Sequence, residues 1–323
     1  MSWKRLARGV LHQMGGLAAL RLLRRYQFGV LMFHEFDEHY KSSLESVCEH
    51  IGRHFEPVSI AAITAGVRGE VSLPYNAVTV TVDDGYKNYL TDGHPIFKRH
   101  RIPTTIYAVA SFADGRLWLW TDQIAFVLGE TSKTSIRAEL QKDHLLDLDL
   151  SSATAKRASL LTLWEELKKI PNQRRLQFLS DFALLCDVEV PPQPPSDRAP
   201  LSWVEMRDLA AEGVEIGCHT DSHPILSRIT DASELVREIR GAKELMEARL
   251  QRRVDHFCYP NGREIDISDN AVSCVREAGF TSAVTCTYGL NPIKADPYRI
   301  RRLPIGGVTD FLFATETLAG LHY

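Results

Sequence analysis

Three short motifs hold residue types that do chemistry together. Asp83-Asp84-Gly85 sets two adjacent carboxylates directly after Ala77–Val82, the clearest strand-like run in the chain. Asp-Gly after a strand is also common turn chemistry. A plain turn does not need two neighbouring carboxylates, which repel each other unless something positive offsets them. A cation would do so. In His219-Thr-Asp-Ser-His223-Pro224, two histidines four apart can reach one ion from a helical turn or a tight loop. Either histidine alone reads as an ordinary surface or core residue. Together with Asp84 they would form a two-histidine, one-carboxylate site with room left for water and substrate. Phe257-Cys-Tyr-Pro-Asn-Gly262 by itself is only a turn signal. It gains weight as the third motif at the end of a strand-like run.

The elements that must position these motifs alternate in type. Strand-like runs at 29–33, 77–82, 104–109, 214–218, 256–259 and 281–286 are separated by helix-like stretches, the pattern of βα units around a parallel sheet or barrel. In barrels, strand C-terminal ends gather at one mouth, and all three motifs fall at such ends. Ser202-Trp-Val-Glu205 predicts a capping box opening a helix that stops at Gly213. Longer helices are predicted over 232–250 and 268–278, the second closed by Gly279. Residues 113–199 break the rhythm. Rich in Leu, Lys, Glu and Arg, they read as a helical insertion ending in a Pro-rich linker, Pro191-Pro-Gln-Pro-Pro195. The chain therefore divides into a basic segment at 1–28, a barrel formed by 29–112 and 200–323, and the insertion at 113–199.

The ordered set Asp83-Asp84-Gly85, His219-Thr-x-x-His223-Pro224 and Phe257-x-Tyr259-Pro260-x-Gly262 resembles the polysaccharide deacetylases of carbohydrate esterase family 4. With Leu31-Met-Phe-His34 and Arg301-Arg-Leu-Pro304, the likeness covers most of the chain outside the insertion. The resemblance implies an α/β fold, a distorted (β/α) barrel with fewer than eight regular repeats. It implies one divalent ion, zinc by preference, on Asp84, His219 and His223, with Asp83 as general base. Tyr259 would give its backbone amide to the oxyanion beside Pro260 and Gly262, and Thr220 or Ser222 would brace the histidine loop. Two features depart from the family pattern. The arginine expected near the Tyr-Pro motif is absent from 254–259, leaving Arg299, Arg301 or Arg302 as substitutes. The late leucine-histidine motif has only Leu321-His322 to answer it. The setting of His34 resembles the branch acting on poly-N-acetylglucosamine, which puts His34 forward as general acid; capping of the strand is its other reading.

Bulk properties narrow the partners. A net charge of −3 over 323 residues and a pI near 6.5 argue against nucleic-acid binding. Residues 1–25 nevertheless carry Lys4, Arg5, Arg8, Arg21, Arg24 and Arg25 and no acid. That segment reads as a helix packed on the domain, or as an amphipathic one touching the membrane surface. Charge interrupts its apolar residues, so it does not resemble a secretory signal. The six scattered cysteines suggest reduced thiols. The expected setting is thus cytoplasmic, at most peripheral to the inner face of a membrane, with an acetylated saccharide or its lipid- or nucleotide-linked precursor as substrate. Trp118, Trp120 and Trp203 are candidates for stacking on sugar. Two other functions fit the same motifs: a catalytically silent sugar-binding scaffold, and a metal-dependent hydrolase of a non-sugar amide or ester.

Overall fold

The computed structural model describes residues 16–36, 40–305 and 311–319. The first fifteen residues and Leu321-His322 lie outside them. The strands are β1 (Gln27–Phe33), β2 (Glu56–Pro57), β3 (Ala77–Val82), β4 (Thr104–Ala108), β5 (Ser135–Gln141), β6 (His144–Asp149), β7 (Glu215–Cys218), β8 (His256–Cys258), β9 (Ser282–Tyr288), β10 (Asn291–Pro292) and β11 (Ile300–Pro304). Among the described residues, seven of them close into a parallel barrel in the order β1-β3-β4-β7-β8-β9-β11, with β11 returning to β1. Helices surround it, so the fold is the distorted (β/α) barrel expected. β11 was not among the strand-like runs, because Arg301-Arg302 hides its alternation. At the barrel base, β2 pairs with the start of β3 and β10 runs antiparallel to the start of β1, filling the splay between neighbours.

Alternation sorts the side chains into two cores. Leu31, Phe33, Val78, Val80, Val82, Ile106 and Leu303 face outward and pack under the helices. Phe28, Val30, Ala77, Tyr107, Cys258, Val284 and Ile300 face inward and fill the lumen. Helix Ile60–Val67 plugs the base, contributing Ile60 and Ile63 to that lumen. Its first turn is held by Glu215, whose carboxylate accepts from the amides of Ile60 and Ala61 at 3.0 and 3.3 Å. Among the described residues the lumen is therefore filled below its upper mouth.

The segment 113–199 is not helical throughout. Between helix Trp120–Glu130 and helices Ala153–Leu167 and Asn172–Leu185, β5 and β6 form an antiparallel hairpin. In β5, Ile136, Ala138 and Leu140 alternate with exposed residues, a period of two that the charged composition masks. These residues join Trp120, Leu163, Phe178 and Phe182 in a separate core. The predicted helix over 232–250 is present but contains a π-turn at Arg237–Gly241. The capping box at Ser202 and Glu205 forms as expected.

Gly217 occupies an inward position on β7 where a Cβ would lie 2.5 Å from the Tyr107 ring and 3.0 Å from the His256 carbonyl oxygen. Gly217→Ala should therefore lower unfolding stability by about 1–3 kcal/mol through overpacking. Urea denaturation measures this, and an unchanged midpoint would show that the Tyr107 ring yields without strain.

Candidate active site

Asp83 continues the inward series Thr79, Thr81 of β3 and so stands at the lumen's top. Its amide donates to the Phe33 carbonyl at 2.9 Å. Arg302, inward on β11, meets it in a bidentate pair: Nη1 to Oδ1 and Nη2 to Oδ2, both 2.7 Å. The guanidinium is wholly buried, and its other N–H groups are used. Nε donates to the Thr285 carbonyl at 2.8 Å, Nη1 to Thr81 Oγ1 at 3.2 Å, and Nη2 to Cys258 Sγ at 3.2 Å. Of the three arginines left open by the sequence, Arg302 is thus the partner of Asp83. Arg299 instead bridges Glu264 and Asp269. Burial alone would raise the Asp83 pKa, but Arg302 holds it well below the usual carboxylate range.

Asp84 takes the opposite course. A left-handed backbone (φ 70°) swings it away from Asp83 toward the histidine loop. Gly85 follows at φ 84°, where a Cβ would press on Ala108 at 3.2 Å. Asp84 Oδ1 lies 3.5 Å from both His219 Nε2 and His223 Nε2. Burial, the Asp83 charge, and Asp122 and Glu35 push the Asp84 pKa well above its ordinary value. Its Oδ1 is buried without a hydrogen-bond partner.

His219 is the last inward residue in the series Glu215, Gly217, His219. Its amide donates to the Ala108 carbonyl at 2.9 Å, and Nδ1 lies 2.7 Å from the Cys258 carbonyl oxygen. Nδ1 must therefore carry the proton, which leaves the Nε2 lone pair facing Asp84. Burial pushes the His219 pKa down to about 4 and His223 well below its usual value. Both rings are thus neutral, the form that ligates metal. The loop between them is strained, with Thr220 at φ 70° and His223 at φ 58°. Thr220 holds it from within: Oγ1 donates to the His219 carbonyl and accepts from the His223 amide at 3.0 Å. Glu238 holds it from outside, accepting from the amides of Asp221 and Ser222 at 3.1 and 2.9 Å and from the Ser222 hydroxyl. Sequence reasoning missed Glu238, which reaches the loop from the π-turn of another element.

A metal fits here. Asp84, His219 and His223 present three ligand atoms within 4.8 Å of one another. The unpartnered Asp84 oxygen and the free lone pair on His219 Nε2 both suit a cation. Asp83, His219 and Cys258 also cluster. The Arg302 charge beside Asp83 opposes a cation there, and burial raises the Cys258 pKa well above normal, keeping the thiol protonated.

Other expected residues fall as follows. His34 Nε2 lies 3.8 Å from Asp83 Oδ2, with 46% of its side chain exposed. The surrounding protein still lowers its pKa, against the pull of Asp83. The Tyr259 amide is already engaged, donating to the Val284 carbonyl at 3.2 Å. Asn261 and Gly262 turn the chain at φ 57° and 60°, and a Cβ on Gly262 would sit 2.8 Å from the Cys286 nitrogen. The Pro260 carbonyl accepts from Gly262 within this turn. Trp118 and Trp120 are core, and the Trp203 indole donates to Asp114 at 2.8 Å. The rim holds residues that the sequence did not single out. The Tyr86 hydroxyl donates to Asp122 Oδ2 at 2.8 Å, and Arg198 Nη1 lies 2.6 Å from Glu35 and 3.5 Å from Asp122. Burial there raises the Asp122 pKa to about 6.

A parallel barrel with ionisable groups gathered at its strand C-termini has the layout of an enzyme. The chain belongs to the polysaccharide deacetylase family, whose domain matches residues 71–283. It is 40% identical over 60 residues to the poly-beta-1,6-N-acetyl-D-glucosamine N-deacetylase of Escherichia coli K12, a match covering 19% of this chain and 9% of that protein's length. The deacetylase PplD of Streptococcus pyogenes, solved with acetate, superposes with a TM-score of 0.59 at 12% identity, over 90% of this chain and 98% of that one. IcaB from Ammonifex degensii gives a TM-score of 0.58 at 13% identity, over 91% and 97%. At these identities the two structures speak for the fold alone.

Arg302→Met should cost about 3–5 kcal/mol, because it leaves the Asp83 carboxylate buried and unpaired. Adding Asp83→Asn should recover part of that loss. Additive losses in a double-mutant cycle, read by urea denaturation, would show that the two residues are not coupled.

Proposed function

We propose that the protein hydrolyses the acetamide of an N-acetylhexosamine-containing saccharide, releasing acetate and a free amine. The observation that carries this reading is the pairing of opposite carboxylates: Asp83 ionised on Arg302, and Asp84 facing two neutral histidines. Asp84, His219 and His223 would hold one divalent cation, zinc by their ligand type. When bound, such an ion polarises the amide carbonyl and acidifies water, which suits a base as weak as an arginine-clamped carboxylate.

The chain's own residues then divide the proton work. Asp83 accepts a proton from the attacking water while Arg302 keeps its carboxylate oriented and charged. His34, at the open mouth 3.8 Å from Asp83, takes over that proton and delivers it to the amide nitrogen as the carbon–nitrogen bond breaks. The new carbon–oxygen bond stays with acetate. Thr220, Ser222 and Glu238 hold the histidine loop in its strained shape throughout. The Tyr259 amide can serve an oxyanion once its bond to Val284 is shared or released. N-acetylglucosamine oligomers with β-1,6 linkage are the first substrate to offer, given the name of the Escherichia coli relative, followed by lipid- or nucleotide-linked precursors.

The test is acetate release from such oligomers by protein stripped of metal and reloaded with zinc. Asp83→Asn should lower turnover about 10²–10⁴-fold with metal still bound. His219→Ala and His223→Ala should lose metal and activity together. Stoichiometric metal without release from any acetylated sugar would shift the assignment to another amide or an ester. Absence of bound metal would favour a silent sugar-binding scaffold.

A further inference from the structure

The base of the barrel, opposite the catalytic mouth, presents an unusual mixture of rings, aliphatics and cations. Tyr26 and Tyr75 are 53% and 59% exposed, yet their rings meet edge to face at 5.1 Å. The Arg25 guanidinium lies 5.0 and 5.3 Å from the two ring centres. Val71 and Ile293 share a surface groove with these tyrosines, and Leu23, 78% exposed, ends the helix Gly16–Leu23 that leads into Tyr26. Large apolar side chains gathered this openly are costly in water unless something covers them.

We infer that this base docks on an anionic lipid bilayer. Aromatic rings with a polar end, aliphatic tips and arginines are the side chains that settle at the headgroup level. The charge has the right sign: Arg21, Arg24 and Arg25 line the pockets at this end, whereas its acids are Glu56 at the start of β2 and Glu70, the latter paired with Arg68 at 2.8 Å. A second copy of the chain placed on this face would set like charges against one another, which disfavours self-association.

The docking fixes an orientation. The strands run from this base to the mouth, so the active site would stand roughly 20 Å above the bilayer, facing away from it. The sugar it reaches then stands off the headgroup layer, which ranks extended oligomers ahead of short lipid-linked precursors.

The experiment is co-sedimentation of the full chain with vesicles of phosphatidylcholine, or of phosphatidylcholine mixed with phosphatidylglycerol. The expected result is salt-sensitive binding to the mixed vesicles only, weakened about tenfold or more in Val71→Ser/Tyr75→Ser. No binding to mixed vesicles would overturn the inference. So would equal binding by the double variant, or a dimer in solution that the double variant abolishes. Acetate release from a soluble oligomer should be unchanged in the double variant, so a failure of membrane docking and a failure of the proposed chemistry are read separately.

Discussion

The Asp83–Arg302 pair sits where seven strands converge, and both partners are almost entirely shielded from water. Taking two charges out of water costs several kcal/mol each, and only good geometry with every remaining donor satisfied offsets it. Here all three guanidinium nitrogens find acceptors on β3, β8 and β9 or on Asp83 itself. The pair can exist only if β3 and β11, neighbours of β1 on opposite sides, both present their inward faces at the same height. A slip of one residue in either strand would send one charge outward and strand the other. The ion pair therefore ties strand register to the electrostatics of the site.

Everything catalytic at the mouth follows from that asymmetry. Asp83 and Asp84 are consecutive, both buried and chemically identical, yet one is held ionised and the other pushed toward neutrality. The difference is made by a single left-handed residue, which turns Asp84 away from the arginine and into the field of its own neighbour. Environments that separate the pKa values of paired carboxylates are how one site assigns them different tasks. Left-handed backbone recurs at Thr220, His223 and Asn261. Asp84-Gly85 and Asn261-Gly262 suit such turns by residue type, whereas β-branched Thr220 does not and is held there by its own hydrogen bonds and by Glu238.

How much of this the sequence discloses depends on whether the information is local. Asp83, Asp84, His219 and His223 lie in contiguous motifs beside clear strands, and the structure brings them to one mouth. Arg302 was one of three candidates, because its parity means nothing until Ile300–Pro304 is known to be a strand. Glu238 gave no signal: its helix periodicity is ordinary, and only the π-turn delivers it to a loop sixteen residues away. The Tyr259 amide read as available because a motif cannot show that Val284 already accepts from it. In 113–199 the alternation of Ile136, Ala138 and Leu140 was present in the sequence, but short and outweighed by the surrounding helical composition.

That segment also explains why the mouth is more than a bare metal cluster. Helix Trp120–Glu130 brings Asp122 against Tyr86, one residue beyond Gly85, and Arg198 ties Asp122 to Glu35, one residue beyond His34. Helix Asn172–Leu185 buries Arg175 over the Trp120 ring at 5.0 Å, where Glu238 and Glu234 balance its charge. Each contact lands next to a residue of the proposed machinery without being part of it. A segment with its own apolar core can vary there independently of the barrel, while its polar edge resets the field at Asp84 and the histidine loop. Shape and charge at the rim are therefore set by a segment whose apolar core is separate from the barrel's, while the hydrolytic centre rests on the Asp83–Arg302 pair within the barrel.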